Sequence, residues 1–342
     1  MPTEDQSGPG SSRQAVRLRD VAEAAGVDIS TVSRILSGDS GLSVRAETRH
    51  RVVETAARLR YRPNRAARAL RTARTMAIGM IVPELTNVAY GSITQGADER
   101  ASRAGYALLV ATGSVRDRLS TLEGRIDGLL VGIATSETLD VGELGGGLPT
   151  LLVNRREPIG VPSVTVDDEA GAALATEHLL SIGHRRIGHV AGPQNSDTGR
   201  RRLAGYCTAL ALHGVEPLAE RIAEASYDEA GGQLAAGRLL RLESRPTALF
   251  VANIRAAIGA VAAARRLGLR VPGDVSIVGF HDASFTTYLD PPLTTVRMPL
   301  AEMGASAVES LLAVINGDAV EDLRVATPPE LVVRGSSAPP RA

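Results

Sequence analysis

Residues 17–36 read RLRDVAEAAGVDISTVSRIL, and two helices with the turn between them are legible in this stretch. Leu18, Val21, Ala22 and Ala25 recur at helical spacing, with Asp20 and Glu23 near the start, where carboxylates complement the helix dipole. Gly26 breaks that helix, and a second one, Ile29 to Leu36, turns Val32, Ile35 and Leu36 inward. The small pair Ala25-Gly26 allows the second helix to cross the first closely, and short hydroxyl side chains on the second helix reach phosphates. Ile29, Ser30 and Arg34 share its exposed face, where an arginine is able to pair bidentately with guanine. The spacing is that of a helix-turn-helix, and it predicts double-stranded DNA as a partner.

Working outward, a third helix is predicted from about Ala46 to Leu59, with Val52, Val53, Ala56 and Leu59 inward, and Pro63 closes the unit. Asn64–Arg71 is a short basic stretch of helical propensity, and a linker follows near Thr72–Thr75. Residues 1–75 contain 14 arginines and 8 acids, 14 − 8 = +6, so the remainder of a chain with zero formal net charge carries −6. A basic arm on an acidic body is the electrostatic footprint of a nucleic-acid binder.

From Met76 the rhythm changes to short apolar runs alternating with helical segments. Strands are predicted at Ala77–Val82, Tyr106–Thr112, Gly128–Gly132, Thr150–Asn154, Ser163–Val166, Arg186–Ala191, Ala248–Ala252 and Val275–Phe280. Helices are predicted at Ser92–Ala104, Gly171–Ile182, Arg200–His213, Ala230–Arg241, Ala256–Leu267 and Ala301–Asn316. Such alternation argues for parallel sheets covered on both faces, in two α/β lobes whose intervening cleft is the default ligand site. Only 14 residues, 113–126, join two of these strands, so any helix there must be short.

The remaining composition narrows the function classes. The single cysteine, Cys207, forms no internal disulfide and fits a reducing, cytoplasmic setting. The first residues have no apolar stretch of the signal-peptide kind, and no run of about 18 apolar residues offers a membrane span. His178, His184, His189 and His213 are scattered without metal spacing, and neither a G-x-S-x-G nor a P-loop occurs. No catalytic residue, cofactor or metal is therefore expected. A solute-binding protein without a regulatory role is the alternative reading of a two-lobed core.

The strings VAEAAGVDISTVSRIL, YRPNRAARALRT, GHRRIGHVAGP, RRLAGY, LGLRVPGDVSIVGF and PPLTTVR resemble the LacI/GalR family of bacterial transcriptional regulators, from about Arg17 to Arg334. That resemblance implies an α/β fold with an all-α helix-turn-helix headpiece and a two-lobed, periplasmic-binding-protein-like core of parallel sheets flanked by helices. It divides the chain into a disordered tail (1–15), a headpiece (16–62), a hinge helix and linker (63–75), a core (76–335) and a tail (336–342). Within the core, lobe 1 is about 76–166 with 296–324, and lobe 2 about 167–295 with 325–335. Implied partners are a DNA operator, a small-molecule effector (a sugar, sugar phosphate or other polar or anionic metabolite) and a second copy in a homodimer.

By the same resemblance Ile29, Ser30 and Arg34 read bases, and Thr31, Ser33, Ser37, Tyr61 and Asn64 lie at phosphate-side or supporting positions. Leu70 is the hinge leucine that wedges into the minor groove. Asn87, Tyr90, Asn154, Thr198, Arg202, Tyr227, Asn253 and His281 match effector-cleft positions. The chain departs from the family pattern there: Ile254 and His281 replace acidic residues, and Met298 a polar one. Keeping Arg202 while losing carboxylate acceptors favours an anionic or less hydroxylated effector over a neutral sugar. Arg17 stands where the first helix ordinarily has a threonine cap.

Overall fold

The computed structural model describes residues 16–36, 41–61, 74–133 and 147–341. The chain divides into two compact units, Met1–Thr75 and Met76–Ala342. The expected hinge helix, with Asn64 and Leu70, and also Ser37, lie outside the described residues.

In the first unit, helices α1 (Leu18–Ala25), α2 (Ile29–Leu36) and α3 (Ala46–Arg58) close on a small core of Val21, Ala22, Ala25, Val32, Ile35, Val52 and Ala56. Gly26 ends α1 in the left-handed region, φ 65°, a conformation that costs glycine no Cβ clash, and Val27 N donates back to Ala22 O. Arg17 contributes no side-chain cap, yet its backbone N–H donates to Asp20 Oδ2 at 2.8 Å, so one end of α1 is still satisfied from within. The expectation for α3 needs correction at one position: Val53 is 50% exposed, and Thr55 is buried instead.

The second unit contains two six-stranded sheets. The first has β1 (Ala77–Val82), β2 (Ala107–Thr112), β3 (Gly128–Val131), β4 (Thr150–Val153), β5 (Ser163–Thr165) and β11 (Leu323–Arg324), in the order β11-β5-β4-β3-β1-β2, all parallel. The second has β6 (Ile187–Ala191), β7 (Ile222–Glu224), β8 (Ala248–Val251), β9 (Ser276–Phe280), β10 (Thr294–Arg297) and β12 (Glu330–Val332), in the order β12-β10-β9-β8-β6-β7. Only β12 runs antiparallel. Strands β1, β3, β4, β6, β8 and β9 are buried along their whole length, as a sheet covered on both faces requires.

Helices α4 (Val88–Arg103), α5 (Val115–Leu122), α6 (Asp168–Ser181), α7 (Asp197–Leu212), α8 (Glu229–Leu239), α9 (Ile254–Arg266) and α10 (Leu300–Ile315) complete the layers. Helix α5 is the short one that the 113–126 crossover demanded. Several of these helices begin one to four residues before their expected starts, because Asn87, Asp167, Ser196, Asp228 and Asn253 cap them with side-chain oxygens.

The chain passes between the sheets three times, after Thr165, after Arg297 and after Arg324, so β10 belongs wholly to lobe 2 and the lobe boundary shifts to about residue 298. Strands β7, β10, β11 and β12 were missed in the sequence; β7, β11 and β12 are sheet edges without the continuous buried apolar run that marked β3, β4 and β8, and β10 reads TTVR. The segment expected as a tail from 336 is also integral to lobe 2: Ser336 is fully buried, and its Oγ donates to Ile277 O at 2.6 Å.

Candidate functional sites

On the headpiece, α2 buries Val32 and Ile35, which leaves Ile29 (47% exposed), Ser30 and Arg34 on the open face. Thr31 and Ser33 are half-buried on its flanks, and Tyr61 packs against the headpiece core. Arg51 of α3 donates from Nε to the carbonyl of Ala25 at 3.0 Å, tying the third helix to the end of the first. The result is a short helix packed on one side, with Ile29, Ser30 and Arg34 on the exposed side.

In the core, one cavity of about 240 Å³ is lined by Pro83, Glu84, Asn87, Ala89, Tyr90, Asn154, Arg155, Thr198, Arg202, Tyr227, Asn253 and His281. All eight expected cleft residues are among them. Pro83, Glu84, Ala89 and Arg155 were not foreseen, though Glu84 and Arg155 follow the carboxyl ends of β1 and β4, where α/β sheets bind ligands. Asn87 and Asn253 cap α4 and α9, and Thr198 lies in the first turn of α7, so three helix N-termini border the cavity.

Arg202 is 2% exposed and tightly held. Its Nε donates to Asp168 Oδ1 at 2.7 Å, one terminal nitrogen to Ala252 O at 2.7 Å, and the other to His281 Nε2 at 3.0 Å. The guanidinium stacks 4.3 Å from the centroid of Phe280. Asp168 also binds Arg201, which in turn pairs with Asp197. Close packing of α6 on α7 makes this possible, because a Cβ on Gly205 would stand 2.2 Å from Glu169 O. Burial raises the Asp168 carboxyl, but Arg202 and Arg201 outweigh it and hold the group below its usual range. Arg202 therefore already has its counterion, and the sequence argument that it seeks an anionic ligand does not survive this geometry.

Burial, reinforced by Arg202, pushes the imidazole of His281 down to about 3, so it is neutral at physiological pH. Since Arg202 donates to Nε2, the proton resides on Nδ1, which is buried without a partner. Asn154 Oδ1 and Arg155 Nε are likewise buried and unpartnered. His281 and Asn154 adopt φ of 71° and 65°, at the ends of β9 and β4; left-handed backbone in non-glycine residues costs free energy and gathers at binding sites. Ile254 and Met298 do not line the cavity: Ile254 is fully buried in the lobe 2 core and Met298 packs with Phe280 around Gly171. Of the three expected departures from the family's polar pattern, only His281 reaches it. Tyr90 donates to Gly132 O at 2.6 Å, and Tyr227 lies 3.2 Å from Thr198 Oγ1, so both rings are fixed as walls.

Two lobes also meet through a clasp at the cavity's edge. Arg255 donates to Glu84 Oε1 of lobe 1 at 2.7 Å and to Glu229 of its own lobe at 2.8 and 2.9 Å. Among the described residues no helix is long and apolar enough to cross a membrane.

Residues 17–64 match the family of bacterial regulatory proteins of the lacI type, and residues 176–337 match a periplasmic binding protein-like domain. The HTH-type transcriptional regulator reg1 of Streptomyces lividans is 37% identical over 341 residues, covering 94% of this chain and 96% of that protein. The structure of the lac repressor dimer bound to operator and the anti-inducer ONPF aligns with TM-score 0.80 at 31% identity, covering 95% of this chain and all of that one. The transcriptional regulator CelR in complex with cellobiose aligns with TM-score 0.71, also at 31% identity, over 94% of this chain and 99% of that one. A helix-turn-helix at one end sets aside the solute-binding alternative, and its relatives are transcriptional regulators. The chain belongs to the LacI family, and it is a DNA-binding transcriptional regulator with a periplasmic-binding-protein-like ligand domain.

Proposed function

We propose that this protein is a repressor that binds a pseudo-palindromic operator as a homodimer, and that a small molecule held between the core lobes sets its operator affinity. The observation that carries the reading is the cavity, where side chains from both lobes and three helix N-termini converge, in a chain that also has a DNA-reading headpiece. A cavity near the lower end of the usual range, about 300–1,000 Å³, suits a ligand of one or two small rings. Two-fold symmetry in the protein is mirrored by the operator, because a single recognition helix reads too few bases for strong specificity. Ile29, Ser30 and Arg34 read base edges, Thr31, Ser33, Ser37, Tyr61 and Asn64 hold the backbone, and Leu70 wedges the operator centre. The eight expected cavity residues contact the effector. The protein works in the cytoplasm and catalyses no reaction.

A ligand that favours one lobe arrangement changes DNA affinity by a coupling of typically 5–150-fold. Fluorescence anisotropy on DNA selected by the protein itself, repeated with sugars, sugar phosphates, nucleosides and organic acids at fixed salt, tests both halves. One compound is expected to move operator affinity by such a factor. A protein that retains no sequence preference over random DNA, or whose affinity no compound moves, overturns the proposal.

A further inference from the structure

Arg155, two residues beyond the end of β4, is 8% exposed and lines the cavity, yet no acid or carbonyl of the described chain pairs with its guanidinium, and its Nε is buried without a partner. Every other charge bordering the cavity is already compensated: Arg202 by Asp168, and Glu84 by Arg255. A buried guanidinium without a counterion is costly, and such a group persists where something else supplies the negative charge. Three helix N-termini face the same space and add positive potential. The neutral His281 adds a protonated, unpartnered Nδ1, a donor where a carboxylate acceptor would repel an anion. Resting on the effector reading above, we propose that the effector is an anion, a carboxylate or phosphate ester, and that Arg155 rather than Arg202 is the residue that selects it. The planar fork of Arg155 matches either group bidentately.

The role separates from a structural one by its effect on the empty protein. An arginine that holds the fold destabilises it when removed, whereas one awaiting an anion leaves the unliganded protein as stable as before or more so. The experiment measures thermal unfolding and calorimetry on the full chain, wild type against R155Q and R155K. Its probes are inorganic phosphate, glucose 6-phosphate and gluconate, each compared with glucose or chloride at constant ionic strength. Wild type is expected to be stabilised by at least one anionic probe over its neutral control, R155Q to lose roughly ten- to a hundredfold in that affinity, and R155K to recover part of it. Unliganded R155Q is expected to melt no lower than wild type. A neutral sugar that binds wild type and R155Q alike, and more tightly than any anion, overturns the anion assignment while leaving the effector site standing. An R155Q that melts lower with its anion response intact makes Arg155 structural and overturns it too. If no probe of either kind binds and operator affinity responds to none, the effector reading falls and this inference with it.

Discussion

In the headpiece, Ile29, Ser30 and Arg34 stand on the open face of a helix whose other face, Val32 and Ile35, is packed among five small or branched apolar residues of its neighbours. In the core, Arg202, Asp168 and His281 are buried, joined to one another, and contributed by a helix, a second helix and the end of a strand. Those headpiece residues lie outside the headpiece's apolar core, so their removal is expected to leave its fold standing. The core has already desolvated its polar groups, so the same side chains support the fold and shape the cavity, and removing one disturbs both. Arg155 is the exception, since it lies in the core but takes part in none of that internal pairing.

The sharpest way to break this contrast is Arg202→Ala. It leaves the fully buried Asp168 with a half-empty partner set and is expected to cost about 3–5 kcal/mol of core stability in denaturant unfolding. Adding Asp168→Asn to it should recover part of the loss, because an uncompensated charge is then removed. A cost under about 1 kcal/mol would mean that the pair does not hold the core together.

Acid is the next lever, and it acts on the core. Burial lowers His189 to about 4 and His281 to about 3, so both fold as neutral rings and take up protons on unfolding below about pH 6.5. Their contribution is complete above about pH 6.5 and is lost as pH falls toward the folded values, roughly 2 kcal/mol per ring between pH 6.5 and 5. The lowered carboxyl of Asp168 acts in the same direction at still lower pH. His189→Phe, which keeps the stack between Tyr206 and Phe250, should flatten the slope by one ring's share in unfolding curves from pH 7 to 5. An unchanged slope would show that His189 is not the group titrating.

Val32→Ala tests the headpiece's own fold. It removes two buried methyls from a small core and is expected to cost about 2 kcal/mol there. Operator affinity should fall while calorimetric effector binding stays at the wild-type value; a parallel loss of effector binding would deny the separation of the two units.

Arg34→Ala carries the smallest effect on stability and one confined to reading. It is expected to leave the melting curve unchanged and to lose about 1–3 kcal/mol in binding at one base position per half-site. A uniform loss across all sequences with a flatter salt dependence would instead place Arg34 on the phosphates.

Much of the cavity could be read in the sequence, but for a reason different from the headpiece. The exposed face of α2 follows from periodicity alone, because exposure on a helix depends on residues three and four apart. Asn87, Asn154, Thr198, Arg202 and His281 are far apart in the chain, and it took the family resemblance to gather them. Glu84 and Arg155 escaped because the resemblance marked no role for them, while Ile254 and Met298 were assigned to the cleft although their side chains turn into the apolar core.

By itself the sequence determined the helix-turn-helix, the parallel α/β layers, the short 113–126 crossover and the absence of metal spacing, since each depends on local pattern, length or composition. The tertiary structure alone decided which charges are spent. Asp168 meets Arg202 because Gly205 lets two helices touch, His281 is neutral because it is buried with that arginine at its Nε2, and Arg155 is left unpaired because no acid among the described residues pairs with it. Charge pairing depends on distance and burial, and neither is written in the order of residues along the chain.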